Sequence, residues 1–240
     1  MRKCHLPALI SLLAGALLCL VVLVPSAALA GPRVESRVER AQHQLNTLGC
    51  NAGQVDGHLG ERTRSAVVRF QSRHRLKQDG RLDQTTWKRL FAEAAQRCDT
   101  RPVPGHTGRG RRVVISQRQN WVWLVGRDGR AIAQSGMVDN PAVLHPGTKR
   151  VGSYCGRGAR IRRNTDGHGL WLEQFVRFAP CGIGFHRIPT YKANGRQIHA
   201  DWLVGTDLQV SHGCIRVPRP FSIRVWQFAN VGTQVRVVRG

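Results

Sequence analysis

The sequence of 240 residues predicts an α+β multidomain chain, in which a small three-helix domain is followed by a mainly β domain. Apolar residues recur at helical spacing three times between residues 36 and 98. Beyond residue 111 the pattern changes to alternating segments rich in β-branched residues and bounded by turns. A stretch rich in proline and glycine at 99–110 has no hydrophobic period, so we predict a linker there.

The first 30 residues are typical of a secretory signal peptide. Arg2 and Lys3 precede an apolar run from Leu6 to Val24, and small residues ending in Ala28-x-Ala30 complete the pattern. We therefore predict cleavage after Ala30 and a mature chain, residues 31–240, that is secreted or held in the cell envelope. The alternative is an uncleaved membrane anchor, since the run approaches the roughly 20 apolar residues of a spanning helix.

The chain is strongly basic, with a formal net charge of +23. Such a charge predicts attraction to polyanions, among which nucleic acid is the usual first candidate. Export argues against nucleic acid, because the polyanions outside the membrane are wall polymers and anionic lipid head groups. A solvated basic surface near the envelope is the simplest interpretation.

Five cysteines follow the signal peptide, and an odd number in an exported chain predicts two disulfides and one free thiol. Cys50 and Cys98 flank the helical domain. A bond between them would close a loop of 48 residues and stabilise the fold by about 3 to 4 kcal/mol. The alternative is a pair of unbonded buried thiols.

The helical domain, residues 31–98, contains an internal repeat. The motif Asp56-Gly57-x-Leu59 recurs 23 residues later, and each copy is followed four residues on by a threonine. Asp-Gly predicts a tight turn, the leucine is expected to point inward, and a helix is expected to begin near the threonine. The apolar helix positions are Val38, Ala41, Leu45 and Leu48; Thr63, Ala66, Val67 and Phe70; and Trp87, Leu90, Phe91 and Ala94.

The second domain, residues 111–240, is predicted to be built mainly from strands. Only Arg219 to Asn230 could form a helix of useful length. The predicted strands include Arg112–Ser116, Trp121–Val125, Ala131–Met137 and Gln234–Val238.

The chemistry of this domain concentrates in the segment Val210–Val217. If the segment is extended, His212, Cys214 and Arg216 share one face. An imidazole and a cation beside a thiol favour the thiolate, so we expect a depressed pKa for Cys214. Gly213 lacks a Cβ and leaves backbone amides accessible to an oxyanion. A zinc site formed by His212 with two upstream histidines, His186 and His199, is the competing interpretation of this motif.

These motifs resemble two families. Ser211-His212-Gly213-Cys214-Ile215-Arg216 resembles the signature of the L,D-transpeptidase, or YkuD, catalytic domain, and Gly184-Phe185-His186 resembles its upstream histidine element. This similarity extends over residues 111–240. Residues 31–98 resemble the peptidoglycan-binding type 1 domain. Its matching positions are Leu48-Gly49, Val55-Asp56-Gly57, Gly60, Thr63, Ala66-Val67, Phe70-Gln71, Leu76, Asp79-Gly80 and Thr86-Trp87.

The spacing of the two histidine elements departs from the family pattern, because 24 residues separate His186 from Ser211. An insertion around Thr190 to Trp202 would account for this spacing. His199 lies nearer to the motif, but the Phe-His context favours His186 as the upstream histidine.

The resemblance implies a two-step acyl transfer on peptidoglycan stem peptides that needs no metal or organic cofactor. Cys214 would attack the carbonyl between the L-centre of a diamino acid and a terminal D-alanine. D-Alanine would leave, and an acceptor amine would convert the thioester into a 3-3 crosslink. His212 would transfer protons with Ser211 or a backbone carbonyl orienting it, Gly213 and Cys214 amides would bind the oxyanion, and His186 and Arg216 would position substrate.

The resemblance also implies that carbapenem-type β-lactams acylate Cys214. Cys155 and Cys181 have no catalytic context, so we predict that they form the second disulfide. Several alternatives stay open. Water as acceptor would give an L,D-carboxypeptidase, and a lipoprotein lysine could also accept the acyl group. A zinc-dependent peptidoglycan peptidase or amidase and a noncatalytic wall-binding protein are the alternatives outside the family.

Overall fold

The computed structural model of the chain describes residues 35–240. The predicted signal peptide and its cleavage site lie outside these residues. The described part contains a helical segment followed by a mainly β segment, so the predicted α+β class is confirmed. Within residues 35–240, no helix is both long and apolar enough to cross a membrane.

The helical domain consists of α1 (Arg37–Thr47), α2 (Glu61–Arg73) and α3 (Gln84–Leu90). Ser36 begins α1 with a capping box, in which its hydroxyl accepts from the Glu39 N–H at 3.1 Å and the Glu39 carboxylate accepts from the Ser36 N–H at 2.7 Å. Helix α3 ends at Leu90, one turn earlier than the apolar pattern predicted. The domain core is formed by Ala41, Leu45, Leu48, Cys50, Ala52, Ala66, Val67, Phe70, Leu90 and Cys98.

Two buried glutamines hold the repeated turns. The Gln42 amide on α1 donates to Asp56 Oδ1 at 2.8 Å and to Thr63 Oγ1 at 3.0 Å. The equivalent bonds from Gln71 on α2, at 3.0 and 3.2 Å, go to Asp79 Oδ1 and Thr86 Oγ1. Both copies of the repeat therefore share the same glutamine–aspartate–threonine hydrogen bonds in addition to the same spacing of apolar residues. The inward orientation expected for Leu59 is wrong, because its side chain is 36% exposed.

Cys50 and Cys98 are joined by a disulfide in the structure. Both residues are fully buried, and the Cys98 N–H donates to the Leu48 carbonyl at 2.8 Å. The bond fastens the end of α1 to the segment that follows α3.

The mainly β domain forms two sheets and one helix, α4 (Arg219–Phe228). The strands are β1 Arg112–Ser116, β2 Trp121–Val125, β3 Ala131–Gly136, β4 Gly147–Arg150, β5 Arg160–Thr165, β6 Leu170–Arg177, β7 Gly184–Arg187, β8 Thr190–Tyr191, β9 Ile215–Val217 and β10 Gln234–Val238. The first sheet has the strand order β3-β2-β1-β10-β4, and the second has β5-β6-β7-β9 with β8 paired to β6.

The core of the β domain lies between the two sheets and under α4. Helix α4 contributes Phe221, Val225 and Phe228 from one face. Strands β7 and β9 contribute Phe185, Ile215 and Val217 to the same core. In β9 the two apolar residues flank Arg216, whose side chain therefore points away from the core.

The helical domain packs directly against the β domain. Arg69 of α2 is 6% exposed and donates to the carbonyls of Cys50, Trp202 and Val204, the last at 3.1 Å. The predicted linker contains no helix or strand, but Arg101 within it is 1% exposed. Its guanidinium lies 4.1 Å from the ring centroid of Trp121 in β2. The connecting segment is thus anchored into both domains.

Candidate active site

The Ser211–Val217 motif is extended only at its C-terminal end. Strand β9 begins at Ile215, and residues 212–214 form a bend. Gly213 has φ of +121°, and a Cβ at this position would lie 2.8 Å from Val143 Cγ1. The bend therefore requires glycine here for its backbone conformation and for the close approach of Val143. The predicted alternation over the whole motif is wrong, because this bend interrupts it.

Cys214 lies at the start of β9 as a half-buried free thiol. Its Sγ–H donates to the Gly182 carbonyl at 3.2 Å. Burial raises the pKa of this thiol, although the Gly184 N–H and the positive charges of Arg216 and Arg177 oppose that rise. The expected depressed pKa is therefore wrong: removal of water from the thiolate outweighs the nearby charges.

His186 lies on β7, which runs parallel to β9 and pairs His186 with Arg216. Its Nδ1 is 2.6 Å from the Arg187 carbonyl, and because a carbonyl only accepts, Nδ1 carries the proton and Nε2 is left as an acceptor. The imidazole is 2% exposed, and burial lowers its pKa to about 4. His186 is therefore a neutral imidazole of fixed tautomer on the strand beside Cys214.

The remaining motif residues have different surroundings. His212 is exposed to solvent. The Ser211 hydroxyl accepts from the Gly213 N–H at 2.9 Å, so this hydroxyl is engaged with the backbone of the bend. Arg216 is half-buried, and its Nη1 donates to the Val210 carbonyl at 3.4 Å. The sequence motif predicted one site for Ser211, His212, Gly213 and Arg216. In the structure these residues lie on one continuous segment, formed by the bend and β9.

Two residues that the sequence did not indicate, Asp139 and Asn140, form hydrogen bonds with the backbone of Ser211 at the start of the motif. The Asp139 carbonyl accepts from the Ser211 N–H at 3.0 Å, and the Asn140 amide donates to the Ser211 carbonyl at 2.9 Å. The Asp139 carboxyl is 3% exposed, and burial raises its pKa to about 6 while a 3.2 Å bond from Gln117 opposes the rise. The only signal in the sequence was a polar Asp-Asn pair that begins two residues after the end of a predicted strand.

Comparison with known families identifies the two domains. Residues 34–90 match the family described as a putative peptidoglycan-binding domain, and residues 93–237 match the L,D-transpeptidase catalytic domain. The second match covers more than half of the chain. The chain belongs to the L,D-transpeptidase family. No curated protein matches it.

Solved structures similar to this family member share little sequence with it. An L,D-transpeptidase from Xylanimonas cellulosilytica (residues 123–326) is 22% identical with a TM-score of 0.49, over 85% of this chain and 93% of that one. A fused Zn-dependent amidase/peptidase with a peptidoglycan-binding domain from Clostridium acetobutylicum is 17% identical, with a TM-score of 0.40 and coverages of 84% and 94%. The L,D-transpeptidase LdtMt1, solved in complex with imipenem, is 18% identical, with a TM-score of 0.41 and coverages of 55% and 60%.

The L,D-transpeptidase domain has a second histidine near Arg216, and this one is half-buried. His199 lies in the predicted insertion, and its Nδ1 is 3.1 Å from the Ala200 carbonyl. Burial and the charge of Arg216 lower its pKa, and its Nε2 is buried without a hydrogen-bond partner among the described residues. The described residues contain no group of three or more His, Cys, Asp or Glu side chains that could hold a metal ion. The zinc set of the competing interpretation, His186, His199 and His212, is therefore not assembled among them.

The predicted pairing of Cys155 with Cys181 stays a prediction. Cys155 is exposed, and the side chain of Cys181 lies outside the described part of the chain.

Proposed function

We propose that the chain is a secreted L,D-transpeptidase that crosslinks peptidoglycan stem peptides through a thioester on Cys214. The observation that carries the proposal is the parallel pairing of β7 with β9, which places the strand of a neutral, oriented His186 beside the strand that the free Cys214 thiol directly precedes. The match of residues 93–237 to the transpeptidase catalytic domain supports the same reaction class.

The base role that the sequence suggested for His212 is better assigned to His186. A general base must be unprotonated and correctly oriented before the reaction begins. Burial keeps His186 neutral, and its bond to the Arg187 carbonyl leaves Nε2 as the proton acceptor. His212 is exposed on the bend, where we assign it, together with Arg216, to contact with substrate.

In the first step, His186 Nε2 accepts the Cys214 proton as Sγ attacks the carbonyl carbon of the donor amide. A neutral thiol and a neutral imidazole fit the opposite pKa shifts of the two groups, because burial disfavours the charged form of each. The same proton then goes to the departing amine, and D-alanine leaves as the thioester forms. An acceptor amine attacks the thioester and gives a proton to His186. The imidazole passes this proton to the departing Cys214 sulfur, which regenerates the thiol and the neutral histidine.

The oxyanion formed in each step is assigned to the backbone amides of Cys214 and Gly213. Gly213 donates to the Ser211 hydroxyl at 2.9 Å in the substrate-free chain, so this amide must turn from Ser211 to the oxyanion. Through this hydrogen bond the Ser211 hydroxyl stabilises the bend, and we therefore assign Ser211 a positioning role in the catalytic motif. No metal or organic cofactor enters this scheme.

Carbapenems are proposed inhibitors, since their strained lactam carbonyl would take the place of the donor amide. The imipenem complex of LdtMt1 accords with this proposal. Intact-mass measurement should find one carbapenem adduct on residues 31–240, and none on Cys214→Ala.

Incubation with defined disaccharide-tetrapeptides, followed by mass spectrometry, tests the proposed function. We expect 3-3 crosslinked dimers and free D-alanine from the unmodified chain, and neither from Cys214→Ala. Tripeptides without dimers would assign the enzyme as an L,D-carboxypeptidase. Equal product from Cys214→Ala would rule out the cysteine mechanism.

A further inference from the structure

A groove of about 510 Å³ lies where the helical domain meets the transpeptidase domain. The loop before α2 and the first turn of that helix form one wall, with Leu59, Glu61 and Arg64. Residues that precede the catalytic motif form the other wall, with side chains that include Trp202, Leu208 and Gln209.

The two walls are held together by Arg69. Its guanidinium reaches from α2 to the carbonyls of Trp202 and Val204, and also donates to the Cys50 carbonyl. Burial lowers the pKa of Arg69 only to about 10, so the guanidinium remains charged at neutral pH. Separation of the walls would break these charge-assisted bonds, and the groove is therefore a preformed feature of the chain.

One wall of the groove continues along the chain into the catalytic motif. Gln209 on its wall is followed by Val210, which is 65% exposed, and then by Ser211 of the motif. The Val210 carbonyl accepts from Arg216 Nη1 at 3.4 Å, which connects this segment to β9. A polymer lying in the groove would extend from the helical domain toward Cys214.

The lining combines apolar surface with balanced charge. Leu59 and Leu208 are 36% and 39% exposed, and both face the groove beside Trp202. The lining includes one acid, Glu61, and one base, Arg64, although the chain as a whole carries a formal net charge of +23. A charge-balanced groove with an apolar surface and few polar groups suits a neutral amphipathic ligand better than a polyanion.

We propose that this groove binds the glycan strand of peptidoglycan, with N-acetylated sugars against Leu59, Trp202 and Leu208. Such sugars are uncharged once their carboxyls are in amide linkage, and they present apolar ring faces with hydroxyl and acetamide groups at the edges. Gln209, Glu61 and Arg64 supply hydrogen bonds to those groups. The inference rests on the proposed function, because it takes peptidoglycan as the substrate. It assigns the glycan to a site shared by both domains, and leaves the stem peptide to the cysteine centre.

Equilibrium binding to glycan chains whose lactyl carboxyls are blocked as methylamides, and which therefore carry neither peptide nor negative charge, tests the groove. The experiment uses residues 31–240 carrying Cys214→Ala, so that no turnover occurs, in about 1 M salt, where charge interactions are screened beyond about 3 Å. We expect the double variant Leu59→Ser/Leu208→Ser to bind these chains at least 10-fold more weakly. The matched control is Ile132→Ser/Val231→Ser, since these side chains are 60% and 69% exposed away from the groove, and its affinity should be unchanged.

Binding of a stem peptide without sugars is measured as a comparison. The affinity of the protein for this peptide should be the same in both double variants, because the proposal assigns the stem peptide to the cysteine centre. Gln209→Ala, at an exposed position, replaces the leucine variant if thermal unfolding shows that the latter is not folded. Undetectable glycan binding by the parent chain, or equal glycan binding by parent and groove variants, would overturn the proposal. Because binding is measured without turnover, failure here leaves the crosslinking assay as an independent test of the proposed function.

Discussion

Arg69→Ala should destabilise the chain and uncouple its two domains. The Arg69 side chain is 6% exposed, and its three hydrogen bonds go to backbone carbonyls in both domains. The methyl group that remains in the variant cannot donate to those carbonyls. Removing the donor would therefore leave buried acceptors without partners, which is the most costly way to lose a hydrogen bond.

The magnitude follows from two opposing contributions. Hydrogen bonds from a charged donor stabilise by about 1.5 to 3 kcal/mol each, so the three bonds of Arg69 contribute roughly 4 to 9 kcal/mol. Burial of the guanidinium costs about 3 kcal/mol, since it lowers the pKa of Arg69 from its usual value to about 10. The difference predicts a loss of about 3 kcal/mol in the free energy of unfolding, within a range of roughly 1 to 6.

Urea unfolding followed by tryptophan fluorescence and far-ultraviolet circular dichroism measures this loss. The unmodified chain should unfold in one transition, because Arg69 and Arg101 join the domains. Arg64→Ala, an exposed position on the same helix, is the matched control and should change the free energy by less than about 0.5 kcal/mol. If Arg69→Ala were no less stable than Arg64→Ala, or if the unmodified domains unfolded separately, the buried arginine would not couple them.

Three further predictions concern a buried carboxyl, the disulfide and the two histidines. The pKa of Asp139 is raised from 3.8 to about 6, so the folded chain binds this proton more tightly and the free energy of unfolding should fall as pH rises through that window. Asp139→Asn should abolish the fall, which is at most about 3 kcal/mol, and an unchanged pH dependence in urea titrations would contradict the assignment. Replacing both Cys50 and Cys98 by alanine should lower the free energy of unfolding by about 3 to 4 kcal/mol, and a loss under about 1 kcal/mol would show that the bond does not form. In stopped-flow measurements of carbapenem acylation, His186→Ala should be slower by about 100-fold or more and His212→Ala by less than about 10-fold; the reverse order would return the base role to His212.

Local sequence patterns were sufficient for most of the secondary structure. The helical spacing of apolar residues predicted α1 and α2, and segments of alternating β-branched residues predicted β1, β2 and β10. These elements depend on short-range spacing, which a single sequence displays. Helix α3 ends one turn early because Phe91 takes part in a turn and is 41% exposed.

Features that depend on distant contacts could not be predicted. Glycine is required in the bend at residues 212–214 partly because Val143, 70 residues from Gly213 in the sequence, leaves no room for a Cβ there. The raised pKa of Cys214 reflects burial by the surrounding fold, whereas the sequence showed only its charged neighbours. The groove wall formed by Leu59 exists because the loop at 202–209 comes to lie opposite it, and no periodicity signals that approach.

The cysteine residues illustrate the same division. Counting predicted one unpaired thiol, and position along the chain predicted the Cys50–Cys98 bond that the structure contains. The motif then selected Cys214 as the nucleophile. The proposal of His186 as its base required the pairing of β7 with β9, because His186 and Arg216 are 30 residues apart in the sequence.

The central claim is that Cys214 carries the acyl group, and intact-mass measurement of the enzyme with a donor alone tests it most directly. The protein comprising residues 31–240 is mixed with a disaccharide-tetrapeptide lacking any acceptor amine, and the reaction is quenched in acid. The mass of the intact protein is then measured, and peptide mapping locates the adduct. The account predicts one adduct equal to the donor less D-alanine, located on Cys214 and absent from Cys214→Ala. An adduct on another residue, or release of D-alanine by Cys214→Ala at the rate of the unmodified chain, would contradict it.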